Sequence, residues 1–510
     1  MNRTFLILLT LLLTTTIALA EETNSSALAR VADSRSYASA LRRLPWLNPA
    51  NRIFRYDYSL TTVAIGAATM PSTADRIPQL GNGEKHFGFE ASSQIRLDNN
   101  SVVYGNAAYT NGKRYGVRWN ETSDFQLLYP FVMADSIGGT LRYEQYELGG
   151  GYAAHKGRWS YGASMSYRAR SEYRTKDPRP KNMVADLLAK VSAGFNIGKK
   201  MLSVSAHAGK YKQTNEVAFF NELGASKEYH LLGLGSEFIR FSGTSNNVYF
   251  KGNNFGGSID WLPTGKYGLS VSARINRFAF DKILPEFNRL IVNNLHRTTY
   301  SVEIAWDRPI NDAGFAGVRL GGEYANRAGK NYLFGDAAAN AYPRIGEVTA
   351  YRSQSSSVEA TAFYETRSEA HLQWGISPTV GYASHNIRQK IAGNLFEYAM
   401  LQTGISGRVA HRSRMGLAQL NAGISYSPNL SGEIRLSEGS DMASQSLREA
   451  LETAHRYLTS DMTEFRIAPR YDYAIASGRN TIFMEFAWEH GLFLSRKHHN
   501  NYELSIGITL

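Results

Sequence analysis

Apolar and polar residues alternate up to the last position of the chain, with Tyr502, Leu504, Ile506, Ile508 and Leu510 interleaved by Glu503, Ser505, Gly507 and Thr509. A period of two predicts a β-strand with one apolar face. Upstream, Ile482, Met484, Phe486 and Trp488 alternate with Phe483, Glu485, Ala487 and Glu489. Before them Phe465, Ile467, Tyr471, Tyr473 and Ile475 alternate with Arg466, Ala468, Arg470 and Asp472. A soluble sandwich also has one-sided strands, but it does not need them on nearly every strand with charge on the opposite face. A barrel closed in a bilayer does need them, because lipid lies outside and a polar lumen inside.

Turn lengths test that reading independently, since such barrels alternate short periplasmic turns with longer extracellular loops. Counting back from the C-terminus, 495–501, 429–462, 385–394, 328–346, 281–295, 214–248, 171–185 and 122–139 read as outer. The segments between them, 476–479, 411–415, 367–369, 309–314, 263–267, 198–200, 156–158 and 98–100, read as inner and shorter. Residues 101–121 must then form one strand through Asn111-Gly112-Lys113, although Asn-Gly is ordinarily a hairpin signal. On that count the chain is all-β, a closed antiparallel transmembrane β-barrel of about eighteen strands spanning 52–510, with sixteen as the alternative.

Three segments fall outside this wall. Residues 1–20 join Arg3, an apolar stretch from Phe5 to Ile17 and Ala18-Leu19-Ala20, which is the layout of a signal peptide cleaved before Glu21. Residues 21–51 carry Arg30, Arg35, Arg42 and Arg43 beside Leu28, Val31, Leu41, Leu44 and Trp46, and are either a plug entering the lumen or a frayed periplasmic tail. In the longest outer loop, 440–460 places Leu447, Leu451, Ala454 and Leu458 at helical spacing. A short amphipathic helix is expected there, as a lid or as loop packing.

Composition narrows the picture further. No run beyond Ala20 reaches the ~18 apolar residues of a membrane-spanning helix, and the chain has no Cys, so neither a disulfide framework nor a lipidated Cys is available. Tyr 30, Phe 24 and Trp 7 suit aromatic girdles at the membrane interfaces. The mean hydropathy of -0.33 suits strands of which half face a polar lumen. The net charge of +12 has no compact basic and aromatic surface to make a nucleic-acid binder. It fits either a basic lumen that attracts anions or outer loops that meet lipopolysaccharide.

Catalytic and metal chemistry is faint. His-Glu-x-x-His, Gly-x-Ser-x-Gly and the phosphate-binding Gly-Lys-Ser/Thr loop are all absent. His498-His499 follow Arg496-Lys497, whose charge disfavours a metal. Asp124, Asp135, His155 and His385 are the remaining rim candidates for hydrolysis. The expectation is no enzyme, no cofactor and no metal.

The last hairpin with an inner turn gives the sharpest local expectation. If 463–475 pairs with 480–493 across Ala476-Ser477-Gly478-Arg479, Arg470 faces Glu485 and Arg466 faces Glu489, all four pointing inward. Such rows either set a field across a wet lumen or hold the wall together.

The closing strand resembles the C-terminal signal of outer-membrane barrels, with Leu510 where Phe or Trp is usual. Trp46-Leu47-Asn48-Pro49-Ala50-Asn51, the stretch from Asp124 to Phe131 and the stretch from Tyr146 to Ala153 resemble the large uncharacterised outer-membrane β-barrel family of Bacteroidota. Asn48-Pro49-Ala50 is also similar to the approach to the first strand in long-chain fatty-acid transporter barrels, whose strand number is lower. These resemblances imply a Gram-negative outer-membrane location and name no substrate. The expected partners are membrane lipid and lipopolysaccharide, the barrel-assembly machinery, and an envelope protein. The leading functional expectation is a solute conduit or an accessory part of an uptake or secretion complex. A structural or adhesive barrel with a filled lumen is the alternative.

Overall fold

The computed structural model describes residues 26–510 except 75, 221–225, 244–245, 312–313, 338–340, 368–370, 439–440, 476–477 and 496. The expected signal peptide and its cleavage site lie outside the described residues. The first nine staves of the wall are β1 Leu60–Met70, β2 Gly83–Asp98, β3 Ser101–Val117, β4 Gly139–Lys156, β5 Trp159–Tyr173, β6 Arg179–Ile197, β7 Lys200–Ala218, β8 Asn247–Pro263 and β9 Gly268–Leu284. The rest are β10 Leu290–Asn311, β11 Gly314–Phe334, β12 Arg344–Thr366, β13 Leu372–Gln389, β14 Asn394–Arg412, β15 in two pieces (Gly416–Ser427 and Asn429–Arg435), β16 Met462–Ile475, β17 Asn480–Phe493 and β18 His498–Thr509. Each pairs antiparallel with its neighbours in sequence. The ring closes where β1 meets β18, Val63 opposite Ile508 and Ile65 opposite Ile506.

The 19 strands of this sheet make eighteen staves because β15 is interrupted at Pro428 and both pieces pair with β14. Proline offers no N–H to the ladder, and its carbonyl still accepts from the Leu401 N–H at 3.1 Å. The outer piece of β15 has no ladder to β16, and such an open edge invites foreign pairing. The C-terminal end of the loop helix packs beside this piece, with Thr459 and His455 close to Gly432 and His455 Nε2 at 3.1 Å from the Glu397 carbonyl of β14.

Outward positions form an apolar belt: Leu148 is 58% exposed, Val191 61% and Ile506 48%. Water would penalise so much contiguous apolar surface, whereas lipid does not. Among the described residues no helix is long and apolar enough to cross a membrane. The strands cross instead.

Asn111-Gly112 does not turn. Asn111 pairs with Phe87 on one side and Glu144 on the other, so two neighbours hold the strand straight, and the register slips away from this point, between Arg114 and Val117 and opposite Arg96 to Asp98. The first wall strand begins at Leu60, later than the expected 52. The outer connections are shorter than the sequence suggests: 171–185 shrinks to 174–178, 281–295 to 285–289 and 385–394 to 390–393. A stave such as β12 has 23 residues, where ~9–11 cross the hydrocarbon layer. The surplus continues outward as paired ribbon, so that 390–393 is no longer than the inner connection 367–371. Three outer connections stay long, 118–138, 219–246 and 436–461. Their described parts contribute to a core inside the barrel.

Candidate functional site

Two bodies of chain occupy the lumen, one at each end. At the end that carries Ser26 and Leu510, which the rule of short turns assigns to the periplasm, residues 26–59 build a chain of short helical turns. Helix α1 (Ala27–Ser34) is capped by Ser26 and helix α2 (Tyr37–Leu41) by Ser36, whose Oγ accepts from the Ser39 N–H at 3.1 Å. Pro45 and Pro49 then open two 3-10 turns, Pro45–Leu47 and Pro49–Phe54, positions where a missing N–H costs nothing.

This segment touches the inner faces of staves around most of the ring, mainly through polar groups. The Tyr37 and Ala38 N–H groups donate to the Glu365 carboxylate of β12 at 2.8 and 3.0 Å. Those of Arg43 and Leu44 donate to Glu303 of β10 at 2.9 and 3.2 Å. Asn48 Nδ2 donates to Asp260 of β8 at 2.8 Å. Helix starts leave N–H groups unpaired, and lumenal carboxylates satisfy them. Where the chain crosses β5, a Cβ at Gly162 would lie 2.6 Å from the Pro49 carbonyl carbon, so only glycine admits the approach.

Each arginine singled out in 21–51 finds a wall or turn partner. Arg30 donates to the Ser59 and Arg479 carbonyls at 3.0 and 2.9 Å. Arg35 Nη2 lies 2.6 Å from Glu485 Oε1. Arg42 is buried, forms an ion pair with the equally buried Asp307, and donates to the Gly268 carbonyl at 2.7 Å. Arg43 reaches Glu359 at 3.6 Å, largely in the open. The Tyr58 hydroxyl donates to Asp33 at 2.8 Å, and burial, reinforced by that carboxylate, pushes the phenol's pKa up.

In the hairpin of β16 and β17 the register sets Arg470 opposite Glu485 and Arg466 opposite Glu489. The two pairs differ. Arg470 is buried, shared between Asp472 at 2.6 Å and Glu485 at 3.1 Å and stacked 3.5 Å over the Phe483 ring. Glu485 therefore joins a wall arginine to Arg35 of the inner segment. Arg466 and Glu489 bond in the more open part of the lumen.

The outer end is closed by different chemistry. The connection 118–138, including α3 (Phe125–Leu128), turns inward and buries Leu128, Phe131, Val132 and Met133 completely. With Leu231, Phe241, Phe250, Phe280 and Tyr351 they form one large aromatic core inside the wall. Helix α4 (Met442–Leu458) caps it, starting at Asp441, which accepts from the Ser444 N–H at 2.7 Å. Leu447 and Leu451 enter the core and Leu458 packs at its edge.

Polar groups tie this cap to the wall at a few points. Asp124 receives both Arg168 Nη atoms, at 3.1 and 2.6 Å, and the Tyr211 hydroxyl at 2.9 Å. Arg174 lies fully buried between Asp135 at 2.8 Å and Glu121 at 3.2 Å. The Glu121 carboxyl has that of Glu228 as a neighbour. Burial, then that neighbouring carboxyl, raises the Glu121 pKa, and burial lifts Glu228 to about 7.

The rim candidates for hydrolysis do not converge. Asp124 and Asp135 are anchors, while His155 bonds Ser160 at 2.9 Å and packs edge-on to Phe54 at the inner end. His385 faces the lumen beside Tyr398. His499 stands 3.9 Å from Glu464. Among the described residues no three His, Asp or Glu side chains are grouped as metal ligands. The inward fold of 118–138 escaped sequence reading, though one signal was there: the apolar run from Leu127 to Met133 cannot rest in a water-facing loop.

A closed ring of eighteen antiparallel staves with an apolar belt outside and ionised groups inside defines an outer-membrane β-barrel. Within that class the chain belongs to the family of unknown function DUF6850, whose model matches residues 49–510. No curated protein matches the sequence. Among solved structures it is similar to the CymD monoaromatic hydrocarbon channel, at 11% identity and a TM-score of 0.31 over 91% of each chain. It is also similar to the copper transporter OprC, at 10% identity and a TM-score of 0.40 over 88% of this chain and 82% of that one. The outer membrane transporter YddB from Escherichia coli matches at 7% identity and a TM-score of 0.36, over 88% and 80%. At such TM-scores none of these likenesses assigns a cargo.

Proposed function

We propose that this protein is a plugged solute conduit of the outer membrane, with residues 26–59 as the plug. The observation that carries the reading is the way the segment is held. Its contacts are backbone N–H groups on Glu365 and Glu303 and arginines on Glu485 and Asp307. Water can replace such bonds when the segment moves, so their net worth is small beside their number. An envelope protein on the periplasmic side is the agent that would displace it. Helix α4 serves as the lid of the outer end. The barrel-assembly machinery would insert such a chain, and its basic outer loops would meet lipopolysaccharide.

The test is conductance in planar bilayers. The intact chain and a barrel that lacks only 26–58 are expected to be nearly silent, since the outer core still closes the lumen. Deletion of 26–58 together with replacement of 442–458 by a Gly-Ser linker, in a barrel that keeps its heat-modifiable gel mobility, is expected to give discrete steps. Silence of a folded double variant counts against the conduit.

The large aromatic core of the outer end favours a second reading, a surface barrel with a permanently filled lumen whose loops bind. Under that reading trimming 436–461 abolishes surface or lipopolysaccharide binding and solute uptake is unchanged.

A further inference from the structure

Between the cap and the lumenal faces of β10 to β14 lies a cavity of about 590 Å³. Its floor and walls carry Phe125, Tyr129, Tyr351, Phe396 and Tyr398, and its roof is the face of α4 that presents Leu451, Ala454 and Leu458. The rings stand at angles to one another, Tyr129 edge-on to Tyr351 with centroids at 5.8 Å and Phe396 edge-on to Tyr398 at 6.3 Å. They leave faces and edges that a flat apolar body can meet, as aromatic pairs prefer.

The charge of the lining is one-sided. Arg297 and Arg327 both line the cavity and no Asp or Glu does. Arg327 is fixed by the carbonyls of the inward loop, 2.8 Å to Gln126 and 3.4 Å to Tyr129. Two carbonyls leave a guanidinium with donors to spare. Arg297 has a single carboxylate partner, Glu323 at 4.0 Å, and its Nε–H is buried without an acceptor. An ion pair stretched to 4.0 Å leaves the partly exposed Arg297 guanidinium able to take an anion from the cavity. The size lies within the range of small-molecule sites, and an apolar lining with a few convergent polar groups is their usual make-up.

We infer that this cavity binds a small amphipathic anion, a flat apolar body carrying one carboxylate, with Arg297 and Arg327 on the charge, the aromatic walls on the body and α4 as the roof. The inference rests on the conduit reading only for what the ligand is for, since binding at this place needs no passage through the barrel.

Isothermal titration of the full-length protein in detergent, blanked against detergent alone, tests it with 2-naphthoate and its neutral isostere 2-naphthamide. Saturable naphthoate binding is expected, with the amide at least about tenfold weaker, as for loss of a charged hydrogen bond. Arg297→Gln, on a side chain that is partly exposed, should weaken naphthoate about tenfold and leave the amide unchanged, while Ala454→Trp fills the cavity and should abolish binding of both. Equal affinity for acid and amide, naphthoate affinity untouched by Arg297→Gln, or wild-type binding by a folded Ala454→Trp protein each overturns the inference. Conductance measured on the same preparations separates the two proposals. Binding with a silent double deletion sinks the conduit and keeps the site, and channels without naphthoate binding do the reverse.

Discussion

The two ends of the lumen are closed by opposite means. At the periplasmic end a segment of short helices is held by carboxylates and arginines, and its apolar contacts break into small groups such as Leu28, Val31 and Ala32 against Ala410 and Leu417. At the outer end a continuous core of Phe, Tyr, Leu and Met fills the barrel, with only a handful of buried ion pairs at its rim. Apolar burial is worth roughly 25 cal/mol per Å² and is lost as a block, whereas each polar contact exchanges for water at little net cost. On the conduit reading proposed above, the difference points to the inner end as the one that moves. The inner closure can be released piece by piece and the outer one resists.

The sharpest way to break this comparison is to cut the outer core. Phe131→Ala removes a fully buried ring and is expected to cost the cap about 3–5 kcal/mol, read as urea-induced unfolding of 118–138 by hydrogen exchange. A loss below about 1 kcal/mol would mean the cap is loosely packed and the contrast false. At the inner end, Arg42→Ala leaves the Asp307 carboxylate buried and uncompensated, for a loss of similar size, about 3–5 kcal/mol. The informative variant is the double one: Arg42→Met with Asp307→Leu should be near neutral, measured by amide exchange across 26–59. If the double variant is as damaging as the single one, the ion pair contributes more than its desolvation penalty allows.

A smaller effect comes from pH at the outer end. Glu228 is raised to about 7 in the folded cap, above the ordinary carboxylate value of 4.5, and Glu121 is raised as well. The folded state therefore holds more protons than the unfolded one between those values. Its stability is full below about pH 4.5 and falls as pH rises through about 7. Protease cleavage within 219–246 should accordingly be faster at pH 8 than at pH 5, and Glu228→Gln should flatten the profile. A profile unchanged by that substitution would remove Glu228 as its cause. The smallest effect belongs to Arg466→Ala. Its ion pair with Glu489 has a half-exposed arginine, and loss of such a pair is worth at most about 1 kcal/mol by urea unfolding.

Most of the wall was legible because a β-barrel writes itself in period two. The pairing of Arg470 with Glu485 follows from parity and one turn, and the eighteenth stave was reached by letting β3 run through Asn111-Gly112. Loop ends were read less well. Sequence marks where the apolar alternation stops, while pairing continues past the lipid wherever two ribbons can share hydrogen bonds. The cap was least legible. Its residues lie on 118–138, 229–243 and 442–458, and nothing local tells Leu128 that Phe241 and Leu451 will meet it.

The sequence by itself determined the class of fold, a strand number of about eighteen or sixteen, the apolar face of the closing strands and the helix of the outer loop, because these depend on neighbours a few residues apart or on the lengths of turns. Tertiary structure alone decided what fills the barrel. Which carboxylate takes the Tyr37 N–H, which carbonyls fix Arg327, and whether an arginine of 26–59 meets Glu485 or Asp307 depend on staves hundreds of residues away being brought onto one ring. Closure of β1 on β18 sets those distances, and no local pattern contains it.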